Sequence, residues 1–392
     1  MDKKFTRHYE RELGHLRQHA YQFARDYPKI AGRLSLKEFE CADPYVERLL
    51  EGFAYLAARV QLKIDEEFPR FTEALLDTVY PQYLAPMPSM CIVHFEPDLG
   101  AGGDLVDGFR VPRGQTLNTS LHGRVDDEKR TPCTYRTASE VTLWPIRITD
   151  ARYLVRELST LKLDIPHGAK ATFQVRLESV GGPFDATSLD ELVFHLKGDG
   201  GLASQIFEQV VGHGCSVAAR PAGLEGPNEP VFLDGCPIEC VGLDDEDALL
   251  PVGSDQFQPY RLFQEYFAMP QRFHFFRVKG LDRAVRACSS RELDLFIFTA
   301  RPDHDLDGER VTRNNFLLNC APAINLVERT TERITLDGSV DEHHVVVDRT
   351  RNVDYEIYSV SGVRVYGVRS DEDREFRPFY AATDFDVQGH RS

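Results

Sequence analysis

Apolar residues recur at helical spacing through the start of the chain. The seam consists of Phe5, Tyr9, Leu13, Leu16, Ala20 and Phe23, in steps of three or four residues. This spacing predicts one helix over residues 3–26 with a narrow apolar seam. Pro28 is expected to end the helix, because the residue before a proline disfavours helical geometry. A helix of this kind requires other helices to cover its seam.

Two more helices are predicted before residue 87. The second begins at Asp43 and Pro44, an N-cap residue followed by a proline at the first helical position. Its apolar stripe consists of Val46, Leu49, Leu50, Phe53, Leu56, Val60 and Ile64. The third covers residues 69–83 and begins at Pro69. Two interpretations remain open: a three-helix domain complete within this chain, or a seam that pairs with helices of another chain.

The rest of the chain is rich in predicted strands and turns. Only three of the 28 glycines precede residue 86, so a helical segment gives way there to shorter elements. Strands are predicted over 90–95, 133–137, 141–148, 158–165, 171–177, 192–196, 272–278, 292–299, 315–320, 332–336, 344–348 and 355–368. Short helices are predicted over 202–211 and 260–267.

The predicted fold class is α+β, because the strands do not alternate regularly with helices. We expect a helical N-terminal arm over 1–87 and two mostly antiparallel β-rich domains over 88–222 and 223–392. A stretch rich in Gly and Pro over 221–230 suggests the boundary between the last two.

Charge and hydropathy exclude several kinds of partner. The net charge of −16 argues against nucleic acid, which requires a basic surface. No apolar run approaches the roughly 18 residues of a membrane span. The first residues do not resemble a secretory signal, so we expect a cytoplasmic protein.

No motif predicts a catalytic, cofactor or metal site. The Asp303–Gly308 segment imitates the start of a calcium loop, but Asn314 stands where a glutamate is needed. Cys236 and Cys240 lack a second pair of zinc ligands. Three other patterns are more simply explained by turns and strands: His213 with Cys215, His343 with His344, and the glycines at 100–103.

Several ordered motifs resemble one family. They are PKIAGRL at 28–34, DPYVERLLEGFAYLAAR at 43–59, DEEFP at 65–69, YPQYLAPMPSM at 80–90, LLP at 249–251, YRLFQEYFAMP at 260–270 and NCAPAINL at 319–326. Together they resemble the TssF family, also called VasA or ImpG, of type VI secretion baseplate subunits. Members of that family continue beyond the length of this chain.

The resemblance implies a non-enzymatic wedge component without a cofactor. Its implied partners are TssG through a helical bundle, a second TssF copy, TssK and TssE, and indirectly the spike hub and the sheath. Its implied location is the cytoplasmic face of the inner membrane. Two alternatives stay open: a wedge protein of another phage-derived contractile particle, and a metal-binding enzyme that uses residues 303–308 or Cys215.

The resemblance also implies roles for named residues. The expected partner-binding residues are Phe5, Tyr9, Leu13, Leu16, Phe23, Val46, Leu49, Leu50, Phe53, Leu56 and Val60. A second set is expected to form a structural motif: Tyr260, Leu262, Phe263, Tyr266, Phe267 and Pro270. For this second set, internal packing is favoured over an interface.

Overall fold

A computed structural model of the chain describes residues 3–34, 36–37, 40–41, 43–98, 106–120, 132–156, 158–222, 229–235, 237–251, 258–308, 310–336, 338, 342–351, 353–366 and 373–376. The helices are α1 (Lys3–Asp26), α2 (Pro28–Arg33), α3 (Pro44–Val79), α4 (Leu202–Phe207), α5 (Gln258–Ala268) and α6 (Asp282–Arg286). Two compact units result. One comprises Met1–Ala85 and Ser359–Ser392, and the other comprises Pro86–Tyr358.

The strands are short and numerous. They are β1 (Leu36–Lys37), β2 (Glu40–Cys41), β3 (Met90–His94), β4 (Phe109–Val111), β5 (Thr116–Asn118), β6 (Thr134–Thr137), β7 (Val141–Leu143), β8 (Ile146–Leu154), β9 (Ala171–Ser179), β10 (Leu192–Leu196), β11 (Gly214–Ala222), β12 (Val231–Phe232), β13 (Ile238–Val241), β14 (Phe275–Val278), β15 (Glu292–Thr299), β16 (Phe316–Leu317), β17 (Cys320–Ile324), β18 (Val363–Tyr366) and β19 (Asp373–Phe376). Every pairing among these strands is antiparallel. The α+β class is therefore confirmed.

The helical unit confirms one predicted helix and corrects another. The bounds of α1 agree with the sequence prediction, and the Asp43 side chain caps α3 by accepting a hydrogen bond from the Tyr45 amide at 2.9 Å. The prediction of a separate helix from Pro69 is wrong, because α3 continues through that proline. An internal proline costs about 3 kcal/mol in a helix. The apolar row of the helix continues on both sides of Pro69, a continuity that proline spacing alone did not reveal.

Strand pairing in the second unit does not follow the predicted boundary at residues 222 and 223. A five-stranded sheet has the order β12-β11-β15-β9-β8, so strands from both sides of that position belong to one sheet. The same is true of the sheets β13-β14-β10-β16 and β3-β17-β6-β5. The stretch rich in Gly and Pro joins β11 to β12, which pair with each other. Turn composition marked a connection between neighbouring strands and carried no information about distant pairings.

Three other strand predictions are wrong. Residues 158–165 contain a 3-10 turn at Leu158–Leu161. Residues 332–336 and 344–348 form no strand, although the Glu332 amide donates a hydrogen bond to the Val346 carbonyl at 2.9 Å. A single bond of this kind gives no ladder. Alternating apolar residues predict a strand only where a partner lies beside the whole segment.

The main core lies beneath the five-stranded sheet. In β15 only Glu292 is not fully buried, and the strand pairs along its length with β9 and β11. Phe194 of β10 stacks on Phe276 of β14 with ring centroids 5.1 Å apart. The one charged group of the β15 interior, Asp294, accepts two hydrogen bonds from Arg176 at 2.7 and 3.0 Å. The buried carboxylate is thus paired, as burial of charge requires.

Asn319 ties the NCAPAINL motif to this core. Its backbone φ is +53°, and its buried side chain accepts from the Trp144 amide and donates to the Trp144 carbonyl, both at 3.1 Å. Asn319→Ala is expected to lower the free energy of unfolding by roughly 3 kcal/mol. The substitution leaves the Trp144 amide and carbonyl without their hydrogen-bond partner, and alanine is strained in the left-handed backbone region. Asn319→Gly should lose less, since glycine tolerates that φ. Urea unfolding measures both, with the exposed Asn314→Ala as control. Equal losses for alanine and glycine would contradict the backbone part of this account.

His195 of β10 predicts a pH dependence of stability. Burial lowers the pKa of His195 from 6.5 to about 4, although its Nε2 lies 3.2 Å from the Gln271 carbonyl oxygen. The unfolded chain therefore binds a proton that the folded chain does not, and stability falls as pH drops from 6.5 toward 4. The His195 contribution is on the order of 3 kcal/mol. Urea unfolding of His195→Gln should show a correspondingly flatter pH profile, whereas the exposed His167→Gln should match the unaltered chain.

Candidate protein–protein interface

The face of α3 that meets α1 carries small and charged residues. Ala54 and Ala58 are fully buried, and small side chains allow two helix backbones to approach closely. Two polar contacts join the helices: the Arg17–Glu47 ion pair at 2.5 Å, and His8 Nε2 at 3.2 Å from Asp65 Oδ2. The helices therefore run antiparallel.

The other side of α3 presents a continuous row of large apolar side chains, here named the α3 stripe. It consists of Tyr45, Leu49, Phe53, Leu56, Val60, Ile64, Phe68, Phe71 and Leu75. Their exposed fractions range from 51% to 87%. The steps of three and four residues hold them on one side of the helix. Apolar surface that is contiguous over the length of a helix is typical of a protein interface.

The predicted partner-binding residues divide between these two environments. Leu49, Phe53, Leu56 and Val60 belong to the exposed α3 stripe. Val46 and Leu50 are half-buried.

On α1 the seam has a partner within the chain. Phe5 is buried, with its ring centroid 5.1 Å from that of Tyr55 of α3. Tyr9, Leu13 and Leu16 are half-buried, and Phe23 is exposed. The spacing of the α1 seam thus fits packing against α3, whereas the α3 stripe is exposed. Sequence analysis missed the part of that stripe beyond Ile64, because a helix end was predicted at Pro69.

The helix α5 buries its charged side chains, whereas most helices of soluble proteins expose them. Glu265 is fully buried, and its Oε1 accepts hydrogen bonds from the Leu249 and Leu250 amides at 3.2 and 3.0 Å. Arg261 donates to the same oxygen at 3.2 Å, and Arg272 Nη1 lies 2.8 Å from Oε2. These contacts join the LLP and YRLFQEYFAMP motifs. We name Arg261, Glu265 and Arg272 the ion cluster.

The ion cluster also reaches the turn before α5. Arg272 donates to the carbonyls of Gly242 and Asp247 at 2.7 and 2.6 Å, and Arg261 donates to Asp245 at 2.8 Å. Burial lowers the pKa of Arg272, while Glu265 opposes that shift. Sequence analysis missed all three residues of the cluster, since charges on a helix are usually solvated. Their i, i+4 spacing (Arg261 and Glu265) was the available signal.

The outer face of α5 is aromatic. Tyr260, Phe263, Tyr266 and Phe267 have exposed fractions between 51% and 79%. Tyr266 packs edge-on against Phe267, with centroids 5.7 Å apart. Leu262 is half-buried, and the exposed Pro270 begins a 3-10 turn at Pro270–Phe273 that contains the buried Arg272. The internal packing favoured for the four aromatic residues is therefore not what this structure shows.

Side chains that suggested chemistry make structural contacts instead. In the Asp303–Gly308 segment, Asp303 accepts from the Asp305 amide at 2.9 Å and Asp307 from the Gly308 amide at 3.2 Å. Cys215 donates to the Phe298 carbonyl, and burial raises the pKa of its thiol. Among the described residues, no three His, Cys, Asp or Glu side chains are placed to hold one metal ion. Cys236 and glycines 100–103 lie outside the described residues.

An open groove of about 770 Å³ runs beside β8. It is lined by residues 149–156 and by residues 307, 308 and 311–314. The Tyr153 hydroxyl in its wall accepts from the Asp303 amide at 3.0 Å, and burial raises the pKa of that phenol. These contacts give the Tyr153 hydroxyl a structural role in the wall of the groove.

The described helices contain no segment with the length and apolarity that crossing a bilayer requires.

Comparison with known proteins identifies the relatives of this chain. The family model "Type VI secretion system, TssF" matches residues 1–392. "Type VI secretion system component TssF1" of Pseudomonas aeruginosa is 46% identical over 391 residues, which cover 98% of this chain and 61% of that protein. A chain in the cryo-electron microscopy structure of the type VI secretion system TssK-TssF-TssG baseplate subcomplex is 25% identical, with a TM-score of 0.66. That match covers 85% of this chain and 58% of the other. The chain thus spans about three fifths of the length of these relatives.

The ion cluster predicts that replacing Glu265 lowers the free energy of unfolding far more than replacing Glu246. Glu265→Ala would leave the buried Arg272 guanidinium without its carboxylate and Arg261 with Asp245 alone, and such a loss costs about 3–5 kcal/mol. Glu246→Ala, at an exposed position of the neighbouring turn, should change stability by less than about 0.5 kcal/mol. Chemical unfolding of the two variants measures the difference. A Glu265→Ala variant as stable as Glu246→Ala would show that the cluster does not hold α5.

Proposed function

The chain belongs to the TssF family of type VI secretion proteins, and we propose that it is a structural component of a type VI secretion baseplate. The family match over the whole chain and the 46% identity to a TssF1 protein support this proposal. So does the similarity to a chain from a TssK-TssF-TssG baseplate subcomplex. The observation that carries it within the chain is the α3 stripe.

The energetics of the α3 stripe favour a permanent protein contact. Full burial of one large apolar side chain contributes about 1.5–3 kcal/mol. Covering half of the nine side chains would contribute on the order of 10 kcal/mol before the costs of association. Obligate interfaces are large and apolar in this way. A helix also presents this row in a form that other helices can pack against.

We assign the covering helices to TssG and to a second copy of this chain. The helix α3 would supply the intermolecular seam, while α1 supports it from the opposite side. TssK is the further partner that the related subcomplex suggests. TssE, the spike hub and the sheath follow only from the family resemblance, as does a location at the cytoplasmic face of the inner membrane.

The proposed role requires no catalysis and no cofactor. An assembly component acts through multivalent contacts, and its polar residues need only hold those surfaces in place. The hydrogen bonds of the Asp303–Gly308 segment and the raised pKa of the Cys215 thiol fit that role.

Charge placed in the α3 stripe should prevent assembly. Phe53→Asp puts a carboxylate at the middle of the stripe, where a covering helix would have to desolvate it. We expect at least about tenfold weaker association with co-expressed TssG, because central apolar anchors dominate interface energies. Co-purification followed by titration of purified components measures the loss.

The matched control is Arg59→Asp, an exposed substitution on the same helix outside the α3 stripe. It should leave association with TssG within about twofold, since it does not touch the apolar row. Circular dichroism of both variants checks that α3 remains folded. Undiminished binding by a folded Phe53→Asp variant would refute the assignment of α3 to the bundle.

A further inference from the structure

The strand β8 is the longest edge strand of the described sheets. It lies at one end of the five-stranded sheet, where β9 is its neighbour on one side. The strand has nine residues, whereas the other described edge strands have two to five. An edge strand presents backbone groups with which another chain can pair, and natural proteins commonly keep such strands short. The long outer edge of β8 is therefore a candidate binding site.

The register of β8 shows which backbone groups face this outer edge. The Val180 amide donates to the Pro145 carbonyl at 2.8 Å, so the backbone groups of this antiparallel pair point toward each other. In an antiparallel ladder, such pairs alternate with pairs whose backbone groups point away from each other. The amides and carbonyls of Ile146 and Ile148 therefore point to the outer edge.

The same direction continues beyond a β-bulge. The register of β8 against β9 shifts between Ile148 and Asp150. Tyr153 forms an antiparallel bridge with Gly308 on the side away from β9, so its backbone groups face the outer edge. Ala151 precedes it by two residues and shares that direction. Among the described residues, this bridge is the only strand-type pairing on the outer edge of β8.

The side chains of β8 define an apolar face and a polar face. Ile146 and Ala151 are buried in the main core, and Ile148 packs against the same core but is only half-buried. Arg147 and Arg152 lie on the opposite face and are exposed. A neighbouring strand with alternating apolar and polar residues would complete the cover of Ile148 and place its polar residues beside the arginines.

We propose that β8 accepts an extended segment of a partner protein as a sixth strand of its sheet. The segment would pair with residues 146–151, a length of about 20 Å. Its end would enter the open groove of about 770 Å³ beside β8. Backbone hydrogen bonds supply the affinity in this mode of binding, and the alternating side chains supply the specificity. The edge selects a polypeptide, because nucleic acids and lipids lack amides and carbonyls at the repeat of a strand.

A peptide probe tests the proposal on the full chain. The probe contains three valines that alternate with three threonines, with a lysine at each end. Opposed residues of an antiparallel pair share a face, so the valines would cover Ile148 and direct their amides at β8. The matched counterpart is N-methylated at the valines and cannot donate those hydrogen bonds. We expect the probe at saturation to slow hydrogen exchange of the Ile148 and Ala151 amides by about tenfold, and the counterpart to leave it unchanged.

Three results of this experiment would overturn the proposal. Equal slowing by both peptides would show that backbone pairing does not occur. Slowing by neither would show that the edge does not accept a strand. Slow exchange of the Ile148 and Ala151 amides in the free chain would show that another part of this chain already covers the edge.

Variants at the edge separate strand addition from other binding. Ile148→Lys places a charge where an added strand would pack and should abolish the slowing at Ala151, whereas Ile148→Val should preserve it. Ala151→Pro removes an outward donor without removing a bond to β9, and it should weaken probe binding severalfold. Circular dichroism checks that each variant is folded.

Two further outcomes define the occupant. A dimer of this chain in light scattering that dissociates on Ile148→Lys would assign the edge to a second copy and overturn the assignment to a partner protein. Phe53→Asp should bind the probe as the unaltered chain does, because β8 and the α3 stripe belong to different units. Failure of strand addition is therefore distinguishable from failure of the α3 assignment.

Discussion

The packing of the 36-residue helix α3 against α1 through its small-residue face is the constraint on which this account depends. Close approach at Ala54 and Ala58 brings α1 against α3, and it leaves the large apolar side chains on the remaining surface of α3. The two features are linked, because alanines that permit tight packing on one side contribute little apolar area there. The proposed burial of this row against a partner chain would supply the apolar burial that α3 lacks on that side.

The helices α3 and α5 share one arrangement, in which charged side chains face neighbouring structure and apolar side chains face outward. In α3 the charged residues Glu47 and Asp65 meet α1, and the apolar row is outward. In α5 the charges are fully paired in the interior, and the aromatic residues are outward. Buried ion pairs contribute little net stability but strongly disfavour alternative arrangements that would separate them. Both helices are thus fixed by polar contacts and present apolar faces.

Local patterns in the sequence predicted some elements well and failed where contacts between distant segments determine the structure. The bounds of α1 followed from seam spacing and Pro28, and the cap at Asp43 from its residue types. Pro69 led to a wrong prediction of a helix end, because α3 continues through it and carries apolar residues on both sides. The pairing of β9 with β15 joins segments more than 110 residues apart and has no local signature. On α5, the prediction buried the aromatic residues, whereas the structure buries Arg261 and Glu265. The sequence around α5 does not show this, because a charge is buried only where a partner such as Arg272 pairs with it.

The most direct test of the central claim is the mass of the complex formed when this chain is co-expressed with TssG, measured by native mass spectrometry. A complex of two copies of this chain with one TssG, lost on Phe53→Asp and kept on Arg59→Asp, is the predicted result. It would show that residues 1–392 contain the assembling surface. A chain that remains monomeric beside folded TssG, or a complex indifferent to Phe53→Asp, would contradict the assignment of α3 as the assembling helix.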